Sequence, residues 1–403
     1  MDDPGSDKHA IREQDLTGFK FVKRLLPMLS GLHEEGCARD KAHNRTLHFD
    51  NYTAFLLLFF FNPIVRSMGG VVQASTLEKV QKELGVSPTS KGSFSEAPNV
   101  FDPDLLEEVV KELAGQVAAL KHDGRLDEVP GTITLVDGTE ISALAKLVGH
   151  LGIGSEGQAN RGIKLHTHFD LLKGVPIDMD LTQATDSEVE NLLRRLEKDR
   201  CYVKDRGYGC FRLFQGIVDI GSHFVCRIRD NSSIHELIED RPLSEQARAA
   251  GILSDQVVRL GCEQKWKELK QPLRIIRIAC KQHRKRAHTG RGGPEQGEFL
   301  LIATDLLDLP AEVIALIYRS RWTIEIFFRF FKRVLNCRHL LSHRKNGIKI
   351  QVYMAIIASL LIALCTGRKP TVRTVEMMQF YFSGWATDRE LEAHIAKLKK
   401  QDE

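Results

Sequence analysis

A change in hydrophobic period after Pro130 is the feature that most constrains the fold of this chain. Downstream of it, short runs of β-branched and apolar residues alternate with longer segments in which apolar residues recur at helical spacing. The first run, 132–136, is bounded by Gly131 and by Asp137-Gly138, which is typical of a strand that ends in an acid. Alternation of this kind predicts an α/β fold, with a mixed sheet flanked by helices.

The next elements follow in a regular order. We predict strands at 162–172, 175–181, 201–204 and 223–228, and helices at 186–200 and 210–218. Asp186 or Ser187 suits the N-terminal cap of the first helix, because a short polar side chain can accept a hydrogen bond from a free backbone N–H. The fourth strand is again followed by an acid, Asp205. The resulting order, β-β-β-α-β-α-β, is the order of a ribonuclease-H-like sheet.

A less regular segment, 230–305, is interpreted as a β-rich insertion. Two strands are predicted in it, at 273–280 and 299–304, on either side of a Gly-rich stretch that opens with the basic residues 281–286. Such a basic run is usually a solvated loop, and contact with a DNA backbone is the alternative. Trp266, the only Trp in this segment, is interpreted as a core residue of the insertion.

Helical patterns lie on both sides of the predicted core. We divide the chain into a disordered tail at 1–15, a helical N-terminal domain at 16–125, two core parts at 126–229 and 306–345, and a helical C-terminal region at 346–403. In the N-terminal domain, a short break separates helical patterns at 77–84 and 104–121. Helix, turn and helix is an arrangement of DNA-binding domains, and it is equally common in other small helical domains.

Cysteine usage and apolar runs bear on the compartment. The eight cysteines include no C-x-x-C pair, so we expect free thiols in a reducing cytosol rather than a structural zinc site. Two apolar runs, 55–61 and 354–365, are shorter than the ~20 residues that cross a bilayer, and we interpret both as buried helices. The N-terminus is polar, unlike a secretory signal. We therefore expect a cytoplasmic protein with no membrane partner.

Positive charge is concentrated in one short segment. The 403-residue chain has a formal net charge of only +4, which by itself does not identify nucleic acid as the partner. Between 318 and 345, however, eight Lys and Arg residues accompany a single acid, Glu325. Patches of this kind provide non-specific affinity for DNA phosphates.

The same segment contains the strongest motif of the chain. We predict a helix pair here, at 310–318 and 321–336. If the helix were unbroken, its 3.6 residues per turn would place Tyr318, Arg321, Glu325 and Lys332 within an arc of roughly 60°. A hydroxyl, a guanidinium, a carboxylate and an ammonium would then share one stripe. Solvated ion pairs are the ordinary explanation, and the alternative is an acid that binds a metal beside cations that bind phosphates. Trp322 is interpreted as a packing residue.

Asp137 and Asp205 extend the metal hypothesis, because each follows a predicted strand. If the two strands are neighbours and the helix of Glu325 packs beside them, three carboxylates converge. Carboxylate oxygens suit hard divalent cations, Mg²⁺ above all. Two such ions about 3.5–4 Å apart can activate an attacking water or 3′-hydroxyl and stabilise the leaving oxygen.

Other polar pairs on the predicted strands are given structural roles. His166 and His168 alternate on one strand and could bind a metal together, but no third ligand is evident nearby. Asp178 and Asp180 are expected to face solvent, with a rival second acid as the alternative. The glycines at 152–157 do not match a dinucleotide site and the chain has no P-loop, so no nucleotide cofactor is expected.

The family of bacterial DDE transposases named after insertion sequence four has a signature, Y-x2-R-x3-E-x6-K. This signature resembles the spacing Tyr318-x2-Arg321-x3-Glu325-x6-Lys332. Residues 135–139 resemble the first-acid motif of that family, and residues 205–208 resemble its second. The resemblance implies a ribonuclease-H-like catalytic core with a β-rich insertion before the last acid.

The resemblance also implies roles for individual residues. Three acids would hold two Mg²⁺ ions, for which Mn²⁺ can substitute: Asp137, Asp205 and Glu325. Six residues would contact DNA: Tyr318, Arg321 and Lys332 in the signature, and Arg284, Lys285 and Arg286 in the insertion. In some relatives an insertion aromatic stacks on a flipped base, which is the alternative role for Trp266.

The implied activity is cut-and-paste transposition of an insertion sequence. Metal-dependent hydrolysis at each element end would free a 3′-hydroxyl, which then attacks target DNA. The implied partners are double-stranded DNA, both terminal inverted repeats and target, and a second copy of the chain in a synaptic homodimer at the bacterial nucleoid. Two alternatives stay open: a transposon-derived DNA-binding protein that does not cut, and a ribonuclease-H-like nuclease without strand transfer.

Overall fold

The structure is a computed structural model, and it describes residues 29–34, 39–40, 45–141, 163–262, 268–279, 299–334, 341–342 and 344–402. The predicted tail at 1–15 lies outside these residues. The chain divides into two compact units. The sheet unit comprises residues 120–141 and 161–328, and the helical unit comprises 1–119, 142–160 and 329–403.

Helices and strands of the described residues are numbered in chain order. The α-helices are α1 Phe49–Phe61, α2 Met68–Ser75, α3 Glu78–Leu84, α4 Lys91–Glu96, α5 Leu105–Gln116, α6 Glu188–Arg194, α7 Phe211–Asp219, α8 Glu245–Ala249, α9 Ala311–Ser320, α10 Trp322–Val334, α11 Lys345–Thr366, α12 Val372–Phe382 and α13 Asp388–Asp402. The strands are β1 Thr132–Ile141, β2 Ile163–Asp170, β3 Val175–Gln183, β4 Arg200–Lys204, β5 His223–Ile228, β6 Ile234–Asp240, β7 Ile252–Leu260, β8 Leu273–Ala279 and β9 Phe299–Thr304.

A nine-stranded mixed sheet organises the sheet unit, with the strand order β3-β2-β1-β4-β5-β9-β8-β7-β6. β1, β2 and β3 pair antiparallel, whereas β4 pairs parallel with both β1 and β5. Parallel strands need crossover connections, and here the connections contain α6 and α7. The predicted mixed α/β fold and its ribonuclease-H-like strand order are therefore confirmed.

Two element boundaries near the first acid differ from the prediction. β1 continues to Ile141, so Asp137 lies inside the strand rather than at its end. The reason is one-sided pairing, because β4 pairs with β1 only as far as Leu135, whereas β2 pairs with it along its whole second half. The predicted helix at 186–200 is the shorter α6, and a turn with Asp199 at a φ of 58° leads into β4.

The strands of the predicted insertion continue the same sheet. β9 pairs antiparallel with both β5 and β8, so the sheet runs from the core strands through β8 and β7 to β6. β6 is the edge strand, and all of its residues are exposed. The predicted strands at 273–280 and 299–304 correspond to β8 and β9, whereas β6 and β7 have no counterpart in the sequence prediction.

A buried ion pair ties the insertion strands to the loop before α9. Arg274 on β8 donates from Nε to Asp255 Oδ1 at 2.7 Å and from Nη2 to Oδ2 at 2.6 Å. Its Nη1 donates to the carbonyl oxygens of Leu306 and Leu307, at 3.3 and 3.2 Å. The two charged side chains are 4% and 6% exposed, and all their polar atoms are hydrogen-bonded, which a buried charge requires.

Two helices rather than one carry the predicted polar stripe. α9 ends at Ser320 and α10 begins at Trp322, with Arg321 in a turn between them. Ile324 N donates to the Arg321 carbonyl at 3.3 Å, a bond three residues apart that tightens this turn. The break agrees with the helix pair predicted at 310–318 and 321–336, and the unbroken helix assumed for the 60° arc is not present. Trp322, expected to pack, is instead 49% exposed.

Apolar runs form buried helices in the helical unit. The run at 354–365 belongs to α11, which has 22 residues and so is longer than the sequence predicted. By length and composition α11 could cross a bilayer, yet 83% of its most apolar stretch is buried within the protein. The run at 55–61 belongs to α1, most of which is also buried. The prediction of buried helices is confirmed, whereas the argument from length was wrong for α11.

Polar contacts connect α11 to the N-terminal helices within the helical unit. Lys349 pairs with Asp104 at 2.5 Å, and the hydroxyl of Tyr353 donates to Glu107 at 2.8 Å. The predicted helical patterns at 77–84 and 104–121 correspond to α3 and to the shorter α5. Contact of these helices with DNA stays a prediction.

Candidate active site

Strand register brings the first two predicted acids together. β1 and β4 pair in parallel as far as Leu135↔Val203. Asp137 follows the last paired residue of β1 by two positions, and Asp205 directly follows β4. Neighbouring strands are about 4.8 Å apart, so the two acids occupy adjacent places at one end of the β1–β4 pair.

Backbone N–H groups orient both carboxylates. Asp137 Oδ1 accepts from Gly138 N at 2.8 Å, and Asp205 Oδ1 accepts from Gly207 N at 2.8 Å. Asp205 thereby caps the short 3₁₀ helix Arg206–Tyr208. An acidic side chain at a helix N-terminus satisfies a backbone donor that would otherwise be free. The local sequence after each strand therefore limits the rotation of its acid.

Arg321 connects these strands with the third acid. Its Nη2 donates to Glu325 Oε1 at 2.6 Å, and its Nη1 lies 3.6 Å from Asp137 Oδ2. The Arg321 side chain is only 12% exposed, so these charges interact through a medium that screens them less than water does. Asp137, Asp205 and Glu325 therefore belong to one electrostatic region, which we call the acidic site.

The carboxyl of Asp137 is the most perturbed acid of this site. Burial raises its pKa to about 7, and the negative charges of Asp205 and Glu188 also raise it. The guanidinium of Arg321 and the Gly138 N–H lower it, but not enough to offset burial. Near neutral pH, Asp137 is therefore divided between the neutral and the charged form. A perturbed acid of this kind is typical of functional sites.

Two other signature residues differ in their surroundings. Burial raises the pKa of Tyr318 to about 12, although the charges of Arg321 and Arg227 lower it. The hydroxyl therefore stays protonated at neutral pH and can donate a hydrogen bond. Lys332 is exposed on α10, seven residues after Glu325, where its ammonium is open to a ligand from solvent. The remaining predicted residues lie outside the described part of the chain: Trp266, Arg284, Lys285 and Arg286.

Three further residues, Glu188, Lys164 and Tyr208, were given no role at the site by the sequence. Glu188, the first residue of α6, forms an ion pair with Lys164 of β2 at 3.0 Å. Tyr208 is buried in the 3₁₀ helix that Asp205 caps. The only signal for Glu188 in the sequence is its place in the first turn of a helix, where acids are favoured for electrostatic reasons alone. Sequence reasoning therefore had no means of assigning it to the site.

The carboxylate oxygens of the acidic site are suitable ligands for a divalent cation, but Arg321 already pairs with Asp137 and Glu325. Among the residues that the structure describes, no group of three or more His, Cys, Asp or Glu side chains is placed to hold a metal ion. Arg321 lies between Asp137 and Glu325 and supplies positive charge to both. Carboxylate oxygens are the donors that Mg²⁺ prefers, so binding of a cation would require Arg321 to release at least one acid.

The aspartates of β3 do not belong to this site. Arg195 donates to both oxygens of Asp178, at 2.7 and 2.5 Å, and Asp178 is only 7% exposed. Asp180 accepts a hydrogen bond from Asn191 at 2.6 Å. The expectation that both face solvent is wrong for Asp178, because the segment from α6 to Arg195 covers this part of the sheet.

His166 and His168 are likewise buried side chains of the sheet. The Nε2 atom of His166 is 2.8 Å from Thr182 Oγ1, and the Nδ1 atom of His168 is 3.9 Å from Asp178 Oδ2. Burial lowers the pKa of His168 to about 4, so its ring is neutral at physiological pH. Packing between neighbouring strands accounts for both rings.

Comparison with known families gives a match over more than half of the chain. Residues 129–361 match the family described as Transposase DDE domain. The matched segment begins just before β1 and ends within α11, and it contains Asp137, Asp205 and Glu325.

Three curated relatives are similar over parts of their length. A chain of Sinorhizobium fredii (strain NBRC 101917 / NGR234) named as transposase y4zB is 28% identical over 62% of this chain and 65% of that one. A chain of Geobacillus stearothermophilus named as a transposase for insertion sequence element IS5377 is 27% identical over 50% of this chain and 48% of that one. These matches span less than two thirds of either relative.

The third relative and one solved structure are more distant. A chain of Synechocystis sp. (strain ATCC 27184 / PCC 6803 / Kazusa), named as a transposase for insertion sequence element IS4SA, is 22% identical over 68% of this chain and 70% of that one. A cryo-EM structure of the piggyBac transposase synaptic complex with hairpin DNA aligns with 11% identity and a TM-score of 0.40. That alignment covers 95% of this chain and 85% of the other.

Proposed function

The chain belongs to the transposase DDE domain family, and from this premise we propose that it is a DNA transposase that moves an insertion sequence by cut and paste. In the proposed reaction, water attacks a phosphodiester at each element end, and the freed 3′-hydroxyl then attacks target DNA. The observation that carries the proposal is the bridge that Arg321 makes between Asp137 on β1 and Glu325 on α10. If the signature residues formed only solvated ion pairs along a helix, Arg321 would not also contact Asp137 on a strand.

The proposed metal site consists of the three acids of the acidic site, Asp137, Asp205 and Glu325. We propose two Mg²⁺ ions there, with Mn²⁺ as a substitute; when bound, such ions activate the attacking oxygen and stabilise the leaving one. Because the pKa of Asp137 is about 7 without a cation, a proton and a metal ion compete for this carboxylate. Arg321 holds Asp137 and Glu325 in the meantime and limits their mutual repulsion.

Cationic and hydroxyl groups of the signature would bind the DNA. Arg321 becomes free to pair with a phosphate when it releases the acids, and its planar guanidinium suits bidentate contact. The exposed ammonium of Lys332 and the protonated hydroxyl of Tyr318 would complete the contacts to the scissile strand. Backbone contacts in the insertion are proposed for Arg284, Lys285 and Arg286.

The proposed partners are double-stranded DNA, in terminal inverted repeats and target, and a second copy of the chain. Two element ends must be cut and joined together, which is why a synaptic homodimer is proposed. The proposed compartment is the bacterial cytoplasm, with association to the nucleoid when DNA is bound. The division into core parts at 126–229 and 306–345 around an insertion at 230–305 is proposed with it.

Cleavage and joining of DNA that carries element ends, with Mg²⁺ present, tests the proposal. Asp137→Asn keeps the shape of the side chain but removes its charge, so we expect it to abolish cutting while DNA binding persists. The matched control is Asp219→Asn, since Asp219 is an acid at the end of α7 that is 48% exposed and pairs with Lys270. Cutting by Asp137→Asn at the wild-type rate would remove Asp137 from the site.

The same assay separates the two alternative functions. Binding without cutting would favour a transposon-derived DNA-binding protein, and cutting without joining would favour a ribonuclease-H-like nuclease.

A further inference from the structure

Arg227 of β5 lies on the same face of the sheet as the first acid. Val136 and Cys226 belong to one buried core cluster with Phe214 of α7. Asp137 and Arg227 directly follow these two residues within β1 and β5, where pairing continues without a register shift. Because successive side chains of a strand point to opposite faces, Asp137 and Arg227 both point away from the core cluster.

Strand pairing also places Arg227 near the second acid along the sheet. β4 and β5 pair in parallel up to Lys204↔Cys226. Asp205 directly follows Lys204, and Arg227 directly follows Cys226. The thiol of Cys226 lies 3.4 Å from the carbonyl oxygen of Asp205, which keeps the two segments together at this point. Arg227 therefore lies beside the strand end that carries Asp205.

Tyr318 of α9 is close to Arg227 and to Arg321. Its helix packs against β4 and β5. Burial raises the pKa of Tyr318 to about 12, although the positive charges of Arg321 and Arg227 lower it. A charge has this effect only at short distance, so both guanidinium groups lie near the Tyr318 side chain. Two guanidinium groups and a protonated hydroxyl, all able to donate hydrogen bonds, therefore lie next to the acidic site.

The guanidinium of Arg227 differs from the other two arginines of the sheet unit in its partners. Its Nε atom is buried and has no hydrogen-bond partner among the described residues. Its Nη2 atom is 3.8 Å from Asp230 Oδ2, beyond hydrogen-bond distance, and Asp230 is 47% exposed. Arg274 and Arg321, in contrast, donate to carboxylates at 2.7 and 2.6 Å. A buried donor without a partner indicates a ligand that brings its own acceptor.

We propose that Arg227 binds a phosphate of the DNA backbone beside the acidic site, with the Tyr318 hydroxyl as a second donor to the same phosphate. This inference rests on the proposed function, because the phosphate belongs to the strand that the acids would cut. The planar fork of a guanidinium matches two phosphate oxygens. Unlike Arg321, Arg227 can bind a phosphate without releasing an acid of the acidic site. The competing explanation is that Arg227 only fastens the turn after β5 through Asp230.

Binding of a fluorescein-labelled element-end duplex, measured by fluorescence anisotropy in EDTA, separates the two explanations without measuring cleavage. Arg227→Gln removes the charge and the fork, and we expect the DNA to bind about tenfold more weakly. The magnitude of the slope of log K against log salt concentration should fall by about 1, as for the loss of one phosphate contact. Asp230→Asn removes the nearby acid, so the DNA should bind as to the wild type or more tightly.

The matched control is Arg212→Gln, which removes the same charge from the opposite face of the sheet. Arg212 belongs to α7, whose Phe214 lies in the core cluster, and it pairs with Glu190. We expect this variant to keep the wild-type affinity and salt slope. Arg227→Lys keeps the charge but loses the fork, so it should bind DNA more weakly than the wild type with an unchanged salt slope.

Three results would overturn the inference. The first is wild-type affinity and salt slope in Arg227→Gln. The second is an equal loss in Arg227→Gln and Asp230→Asn, which would mean that only the ion pair matters. The third is an equal loss in Arg212→Gln, which would mean that only net charge matters.

A failure of the proposed function has a different signature. If the wild type cuts and joins the element-end duplex and Arg227→Gln binds it with wild-type affinity, the proposed function stands without Arg227. If the wild type does not bind this duplex, the proposed function itself is wrong.

Tyr318→Phe tests whether the hydroxyl and the guanidinium share one phosphate. The variant keeps the buried ring and removes only the hydroxyl, and we expect weaker DNA binding. If both groups hold the same phosphate, the variant that combines Tyr318→Phe with Arg227→Gln should lose less affinity than the product of the two single losses. Wild-type binding by Tyr318→Phe, or a double loss equal to that product, would overturn the shared phosphate.

Discussion

Arg274 and Arg321 each bind a carboxylate within the sheet unit, but under different constraints. Arg274 meets a single acid, Asp255, through two hydrogen bonds of 2.6 and 2.7 Å, and both side chains are almost fully buried. Arg321 is divided between two acids, at 2.6 Å from Glu325 and 3.6 Å from Asp137. Arg274 therefore neutralises Asp255 fully, whereas Arg321 neutralises Asp137 only in part.

This difference separates a structural ion pair from one that is available for chemistry. Every polar side-chain atom of the Arg274 pair is hydrogen-bonded, so opening it would leave buried charges without partners. The Arg321 bridge leaves Asp137 with a pKa of about 7, which means that the carboxyl can change its charge at small cost. We expect loss of Arg274 to destabilise the protein strongly, loss of Arg321 to destabilise it only slightly, and loss of the Asp137 charge to stabilise it.

The largest expected effect is at the structural pair. Arg274→Ala leaves Asp255 buried and unpaired, so we expect the free energy of unfolding to fall by about 3–5 kcal/mol. Chemical unfolding followed by circular dichroism measures it. The control is Arg259→Ala on β7, because Arg259 pairs with Glu236 at a more exposed place and should cost about 0.5 kcal/mol. Equal losses in the two variants would contradict the comparison.

In the absence of metal, we expect removal of the Asp137 charge to raise the free energy of unfolding, which is the opposite of the Arg274→Ala effect. The pKa of Asp137 is raised on folding, so the folded state binds the proton more tightly than the unfolded chain and stability falls as pH rises from about 4 to about 7. Asp137→Asn removes this term and should stabilise the protein by about 2 kcal/mol at pH 8. Unfolding at pH 5 and pH 8 measures it, and a destabilised variant at pH 8 would contradict it.

A smaller change is expected when the bridge itself is removed. Arg321→Gln takes the guanidinium away from Asp137, but this acid can respond by binding a proton, so we expect a loss of about 1 kcal/mol or less at pH 7. The pKa of Asp137, followed by NMR titration of its carboxyl, should rise above its wild-type value. A loss as large as that of Arg274→Ala would mean that both pairs are structural.

The smallest effect is expected at a third, partly exposed pair. His223 Nδ1 lies 2.7 Å from Asp305 Oδ2, and this hydrogen bond raises the pKa of the ring. Its stabilising contribution is complete below the unfolded pKa and is lost as pH rises through the folded one. Because the ring is 36% exposed, His223→Gln should cost at most about 0.5 kcal/mol at pH 5 and less at pH 8. A loss that grew with pH would contradict this assignment.

Residues that follow a local pattern were predicted well. The strands at 223–228 and 299–304 agree with β5 and β9 at both ends, because short apolar runs bounded by polar residues define them without distant partners. Asp137 and Asp205 were selected because each follows an apolar run, and the parallel pairing of β1 with β4 brings the two runs side by side. The signature residue Arg321 was found by spacing alone.

Residues whose role depends on distant neighbours were missed or misplaced. Asp178 was expected to face solvent, but Arg195 closes over it after α6. Glu188 was taken only as a favourable first-turn acid, since nothing in its own segment indicates that it approaches Gly138. Arg321 lies in the turn between α9 and α10, and its contact with Asp137 as well as Glu325 could not be read from spacing.

The sequence by itself determined most of the succession of strands and helices and the segment of positive charge, and it singled out three candidate acids. These depend on the period and spacing of nearby residues, which any extended stretch of chain already contains. The tertiary structure decided which acids share one site, which cation neutralises each, and which polar side chains are buried. Those properties arise only when strand register and helix packing bring distant residues within a few ångströms, where burial and charge change what each side chain can do.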